Sequence, residues 1–147
     1  MPVFETERFV AVPVARAWAV VADVVGYADA APNLTRAVIE AGEGLGMRRR
    51  CWDTAGRTWT EQCVLYEEGR RYAMAVDSAD YPFPMRAMEG TWSVEPAGSG
   101  TLIRMRFEYE PQGGALGRLA MRALRPQFRR LTETLFDNWA TQMGVGS

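Results

Sequence analysis

Apolar positions along this chain follow two different periods. From Val3 to Glu110 they alternate or gather in short β-rich runs bounded by glycine and proline, whereas from Ala115 to Met143 they recur at steps of three and four. The first pattern predicts strands and the second predicts helix. The expected strands are Val3–Val12, Leu34–Ala41, Met47–Asp53, Thr58–Tyr66, Arg71–Ser78, Arg86–Glu95 and Thr101–Glu110. Between the first two, Pro13 suits the first turn of a helix over Val14–Val25, with Trp18, Val21 and Val25 as its apolar face. Gly26 breaks that helix, and Tyr27–Ala31 forms a second helical turn before Pro32 and Asn33 end it.

The C-terminal run places Leu116, Leu119, Ala120, Ala123, Leu124, Phe128, Leu131, Leu135, Trp139 and Met143 on one continuous stripe. Arg118, Arg122, Arg125, Arg129 and Glu133 lie on the other side. Such a helix is not stable alone, so its stripe needs a wide apolar cover. The strands supply it. The expected fold is therefore α+β: a curved antiparallel sheet of about seven strands wrapped around a long C-terminal helix, with two short helices between strands 1 and 2. Pro126 predicts a kink in the last helix near Arg125. No repeat or interdomain linker interrupts the pattern, so residues 1–147 read as a single domain.

Strands 3 and 4 can be registered from their own residues. A three-residue loop Thr54–Gly56, with Gly56 left-handed, pairs Asp53 with Arg57. Cys51 then faces Trp59, Arg49 faces Glu61, and Met47 faces Cys63. Met47, Cys51, Trp59, Cys63 and Leu65 share one face, whereas Arg48, Arg50, Thr58, Thr60 and Gln62 share the other. A two-residue loop would scatter the apolar residues between faces. The preferred register sets Arg49 and Glu61 against each other on the apolar side. A buried charge is expensive unless paired, which singles these two out. The cysteines are too far out of step for a disulfide and read as small core residues.

Absences narrow the chemistry. The chain has no His, which removes imidazole ligation and Ser-His-Asp or Cys-His catalysis. All its basic side chains are arginine, so Schiff-base lysines and phosphate-loop lysines are also excluded. Gly42, Gly44 and Gly46 lack the following helix that a nucleotide fingerprint requires. A net charge of −1 argues against nucleic acid as a partner. No cofactor and no metal are expected, and any chemistry falls to carboxylates, arginines, tyrosines and water. Two cysteines, and a beginning without a basic leader or apolar signal run, set the expectation of a cytoplasmic protein. No run approaches the roughly 20 apolar residues of a membrane span.

Four stretches carry a resemblance over nearly the whole chain: Ala11–Trp18 (AVPVARAW) followed by Ala22 and Asp23, Gly46–Arg50 (GMRRR), Gly90–Trp92 (GTW) and Gly100–Arg104 (GTLIR). With the order of elements, they resemble the START-like helix-grip superfamily, specifically its polyketide cyclase/dehydrase and lipid-transport group. That resemblance implies a deep cavity between the sheet and the last helix, holding a hydrophobic small molecule such as a polyketide, lipid or isoprenoid. Members include aromatase/cyclases, ligand carriers and proteins with no known activity, so the fold leaves catalysis open.

The inward faces supply candidate walls. They are Trp59, Tyr72, Met74, Met88, Trp92, Met105, Phe107 and Tyr109 from the sheet, and Leu124 and Phe128 from the helix. Tyr72 and Tyr109 either offer hydroxyls to a ligand carbonyl or are ordinary core tyrosines. Gly90 either lets the helix approach closely or leaves room for ligand. In a cyclase, Glu61 would take a proton from a carbon or hydroxyl of the substrate while Arg49 steadies the enolate. The plainer reading is a structural pair, or one at the sheet edge in solvent. Tyr81 and Phe83 in the Tyr81–Pro84 turn, facing the Gly113–Gly114 connector, are candidate lips of a portal; packing of Phe83 on the helix is the other reading. The stripe of Arg118, Arg122, Arg125 and Arg129 suits an acidic carrier protein or an anionic membrane surface, or is simply solvated. An interaction module using that stripe, with its interior collapsed, is the rival to a ligand-binding protein.

Overall fold

The computed structural model of the chain describes residues 2–145. Seven strands form one antiparallel sheet: β1 (Val3–Val10), β2 (Leu34–Ala41), β3 (Arg48–Asp53), β4 (Thr58–Glu67), β5 (Arg71–Val76), β6 (Met85–Ala97) and β7 (Gly100–Pro111). Their spatial order is β1-β7-β6-β5-β4-β3-β2, so strands 2 to 7 are a meander and β1 returns to pair with β7. Two helices, α1 (Val14–Val21) and α2 (Tyr27–Ala30), carry the chain from one sheet edge to the other. The helix-grip architecture expected from the pattern is the one observed.

The β3–β4 turn explains its own register. Gly56 has φ +81°, a value that favours glycine. Asp53 accepts hydrogen bonds from the amides of Ala55 (3.0 Å) and Arg57 (2.9 Å) and from the Arg57 guanidinium (2.7 Å). The pairs Cys51–Trp59 and Arg49–Glu61 follow as expected. One face assignment is corrected. A bulge between Cys63 and Leu65 leaves Val64 unpaired, so Tyr66, not Leu65, stands opposite Tyr72. Tyr66 packs edge-on against Trp18, with centroids 6.0 Å apart. A local bulge reverses the alternation and is invisible to a period-two reading.

The terminal helix also differs from expectation. It is two helices, α3 (Gly114–Ala123) and α4 (Arg125–Gln142), sharing Leu124 at the junction. Pro126 lies in the first turn of α4, where its missing N–H is harmless; inside one continuous helix it would leave a carbonyl of the preceding turn without a donor. The apolar stripe divides there. In α4, Leu135, Phe136, Trp139 and Ala140 are buried, and Met143 just beyond it is buried too; in α3 no residue is buried. The core lies between the concave sheet, α1, α2 and the second half of α4. Val25 is exposed beyond the end of α1, so that helix is shorter than its pattern. No helix among the described residues is long and apolar enough to cross a membrane.

Candidate functional site

On β6 and β7 the residues Met88, Gly90, Trp92 and Val94 stand opposite Tyr109, Phe107, Met105 and Ile103, which puts all eight on the concave face. Above them the sheet and α4 do not close completely. A cavity of about 580 Å³ lies between the sheet, the 81–85 segment and the α3–α4 junction. Its walls include Phe4, Phe83, Tyr109, Met121, Leu124 and Phe128, with Arg57, Arg125 and Asp53 among the polar groups. A smaller recess of about 90 Å³ lies deeper and is bounded by Tyr27, Arg49, Glu61, Met74, Gly90 and Trp92. Asn33, Trp59, Tyr81, Met88, Phe107, Phe128 and Leu131 border both spaces. The outer volume is within the range of small-molecule sites, whereas the recess has room for only a few atoms or waters.

The recess is where the charges are. Arg49, 1% exposed, forms an ion pair through Nη2 with Glu61 Oε1, and its Nη1 donates to the Val24 carbonyl at 2.9 Å. The Trp59 indole N–H donates to Glu61 Oε2 at 2.8 Å, and Cys51 Sγ approaches the same oxygen at 4.0 Å. The Arg49 guanidinium also lies 5.3 Å from the Tyr27 ring centroid. Burial works against the charge on Arg49, but the surrounding groups, Glu61 foremost with Cys51 and Tyr72, together outweigh it and hold the guanidinium above its ordinary value. Arg49 Nε and Trp92 Nε1 are buried and meet no acceptor within hydrogen-bond geometry among the described residues.

Neighbouring groups stay neutral. Burial pushes the Cys51 thiol up to about 12, helped by Glu61, so it is not a thiolate nucleophile at neutral pH. Burial likewise raises the Tyr27 and Tyr81 phenols, which therefore serve as O–H groups rather than phenolates. Gly90 has a specific reason. A Cβ there would meet the Trp92 ring at 2.7 Å and the Phe107 ring at 2.8 Å, so its lack of a side chain is filled by two aromatic rings rather than by helix.

The residues singled out from sequence divide among these spaces. Arg49, Glu61, Trp59, Met74, Met88, Trp92, Phe107 and Phe128 border the recess, and Tyr109 and Leu124 border the outer cavity alone. Tyr72 and Met105 border neither. Tyr72 is stacked on Trp92 with centroids 5.2 Å apart, and its hydroxyl donates to the Val21 carbonyl at 2.7 Å; Met105 is fully buried. Tyr81 and Phe83 are half-buried rather than exposed, each meeting Trp59 edge-on at 5.6 and 5.7 Å. Arg57 lies 4.8 Å from the Phe83 ring. The opposite lip is corrected: it is Met121, Leu124 and Arg125, not the Gly113–Gly114 connector. Of the four arginines in the stripe, Arg118 meets a carboxylate from outside it, that of Glu110 on β7, at 3.1 Å. Tyr27, Asn33 and Leu131 were missed as lining residues. Tyr27 lies in a four-residue helix too short for a face, and Asn33 follows it in a turn.

A curved sheet gripping a helix, with a partly open and largely apolar space between them and an ion pair at its inner end, is the helix-grip architecture. The chain belongs to the polyketide cyclase/dehydrase and lipid-transport family, whose model matches residues 1–144. Among solved structures it is similar to the ZhuI aromatase/cyclase from Streptomyces sp. R1128 (22% identity, TM-score 0.78, covering 97% of this chain and 93% of that one). It is also similar to TTHA0849 from Thermus thermophilus (22% identity, TM-score 0.75, 97% of both chains). A third likeness is to BexL, a di-domain aromatase/cyclase of the BE-7585A biosynthetic pathway (24% identity, TM-score 0.73, 92% of this chain and 45% of that one). At these identities the likenesses establish the fold. No curated protein matches the sequence.

Proposed function

We propose that the chain binds a hydrophobic small molecule of the polyketide type and promotes its cyclisation and dehydration. The ligand's apolar body occupies the outer cavity, and an oxygenated end enters the recess. The observation that carries this reading is the Arg49–Glu61 pair at the inner end of a largely apolar space. In this reading Glu61 takes a proton from a carbon between two carbonyls, while Arg49 steadies the enolate oxygen. Attack of that carbon on a further carbonyl closes a ring and leaves an alkoxide, to which Glu61 returns the proton. Loss of the resulting hydroxyl as water follows by a second proton transfer from an adjacent carbon. Membership of the family and the aromatase/cyclase neighbours support the choice of ligand class.

One observation favours a carrier without turnover. Both Glu61 oxygens already accept hydrogen bonds, from Arg49 and from Trp59, as a purely structural carboxylate would. An interaction module with a collapsed interior fits a cavity of about 580 Å³ poorly. The first two readings separate on Glu61→Gln, assayed with a linear poly-β-ketone. The enzyme reading expects turnover to fall by at least about 100-fold, with ligand affinity little changed. Turnover unchanged by the substitution retires Glu61 as the base, and absence of turnover in the unsubstituted protein leaves the carrier.

A further inference from the structure

α3 has more apolar surface than the fold uses. At 100° per residue, Met121 and Gly117 turn towards the cavity side, and Met121 is one of its walls. Leu119 and Ala123 then lie opposite, with Leu116 and Ala120 extending the same apolar arc to one side, and Leu116 and Leu119 are 79% and 65% exposed. A helix whose outward face is its apolar face expects a further layer.

Charge indicates what that layer is. Between Gly114 and Thr132 the chain carries five arginines (Arg118, Arg122, Arg125, Arg129 and Arg130) and no acid, in a protein whose net charge is −1. Arg118 and Arg122 lie along one side of the exposed leucines on α3, and every one of the five is exposed. Only Arg118 meets a carboxylate among the described residues, that of Glu110 on β7. Leucines on one helix face with arginines beside them form the arrangement by which a helix lies in a bilayer interface, apolar side chains below the headgroups and guanidinium groups on phosphates. With Met121, Leu124 and Arg125 around the cavity mouth, such a helix would bring the mouth to the same surface.

We propose that α3 docks on a bilayer with anionic headgroups, so that ligand passes between that surface and the cavity without crossing water. The passage of ligand rests on the cavity-binding reading above; the docking does not. The test is cosedimentation of the full chain with phosphatidylcholine vesicles, with and without phosphatidylglycerol, at low and high salt. The expected result is binding to the anionic vesicles alone, weakened by salt. In the double variants Arg118→Glu/Arg122→Glu and Leu116→Ser/Leu119→Ser it falls by at least about tenfold. None of these four residues borders the cavity, so a hydrophobic fluorescent probe should still bind both variants there; loss of probe binding by the unsubstituted protein would count against the cavity reading and not against docking. No binding to anionic vesicles overturns the proposal and leaves the face to an acidic protein or a second copy of the chain. Loss in the arginine variant with the leucine variant unchanged overturns it too, because the apolar face would then be idle.

Discussion

α3 and α4 are written in the same amphipathic pattern and meet opposite fates. The end of α4 drives Leu135, Phe136 and Trp139 into the concave face of the sheet, and Trp139 lies 5.9 Å from the Tyr27 ring. α3, across the Leu124–Pro126 break, rests along β7 and the start of α4 and leaves its leucines in the open. The period of a stripe says that a helix has an apolar side. It does not say that the same molecule covers it. Here one half of the pattern builds the core and the other half builds the rim of a cavity.

The difference should be largest in stability. Trp139→Ala is expected to cost about 3–5 kcal/mol in chemical denaturation, as for other large core aromatics. Destabilisation below about 1 kcal/mol would mean that α4 does not anchor the fold as described. The closed interior should also respond to alkali. Below its ordinary value of 9.0 the Cys51 thiol is protonated in both the folded and unfolded chains; above it the unfolded thiol ionises while the buried one holds its proton up to about 12. Stability is therefore expected to fall as pH rises between those limits, and Cys51→Ala should flatten that slope. An unaltered slope would mean that the thiol ionises alike in both states. At the open end, Leu119→Ala should change stability by no more than about 0.5 kcal/mol, as an exposed site does. A cost comparable to that of Trp139→Ala would place Leu119 in the core and erase the contrast.

Much of the fold was legible because strand alternation and turn chemistry are local. The Asp53–Gly56 turn fixed the β3–β4 register, and with it the opposition of Arg49 and Glu61, before any tertiary information. What escaped depends on partners distant in sequence. The Val64 bulge reverses the faces beyond Cys63 without a proline or glycine to announce it. Tyr27 reaches the recess because α2 is carried over Trp92 and Arg49, a placement no short helical turn encodes. Tyr81 and Phe83 lie in a turn set by two prolines, a local pattern that suits the surface, yet both pack edge-on against Trp59 and are half-buried. Pro126 did announce the break in the terminal helix, but only the arrangement of β7 and α4 decides that α3 turns its leucines outward.

The central claim is that the space between sheet and helix accepts an apolar ligand. Titration with an anilinonaphthalene probe tests it directly, comparing the protein with Met88→Trp, a substitution on the wall common to the outer cavity and the recess. The expected result is saturable one-to-one binding with a micromolar Kd, weakened by at least about tenfold in Met88→Trp as the added ring fills the space. Absence of saturable binding, or equal binding by a folded Met88→Trp protein, would contradict it.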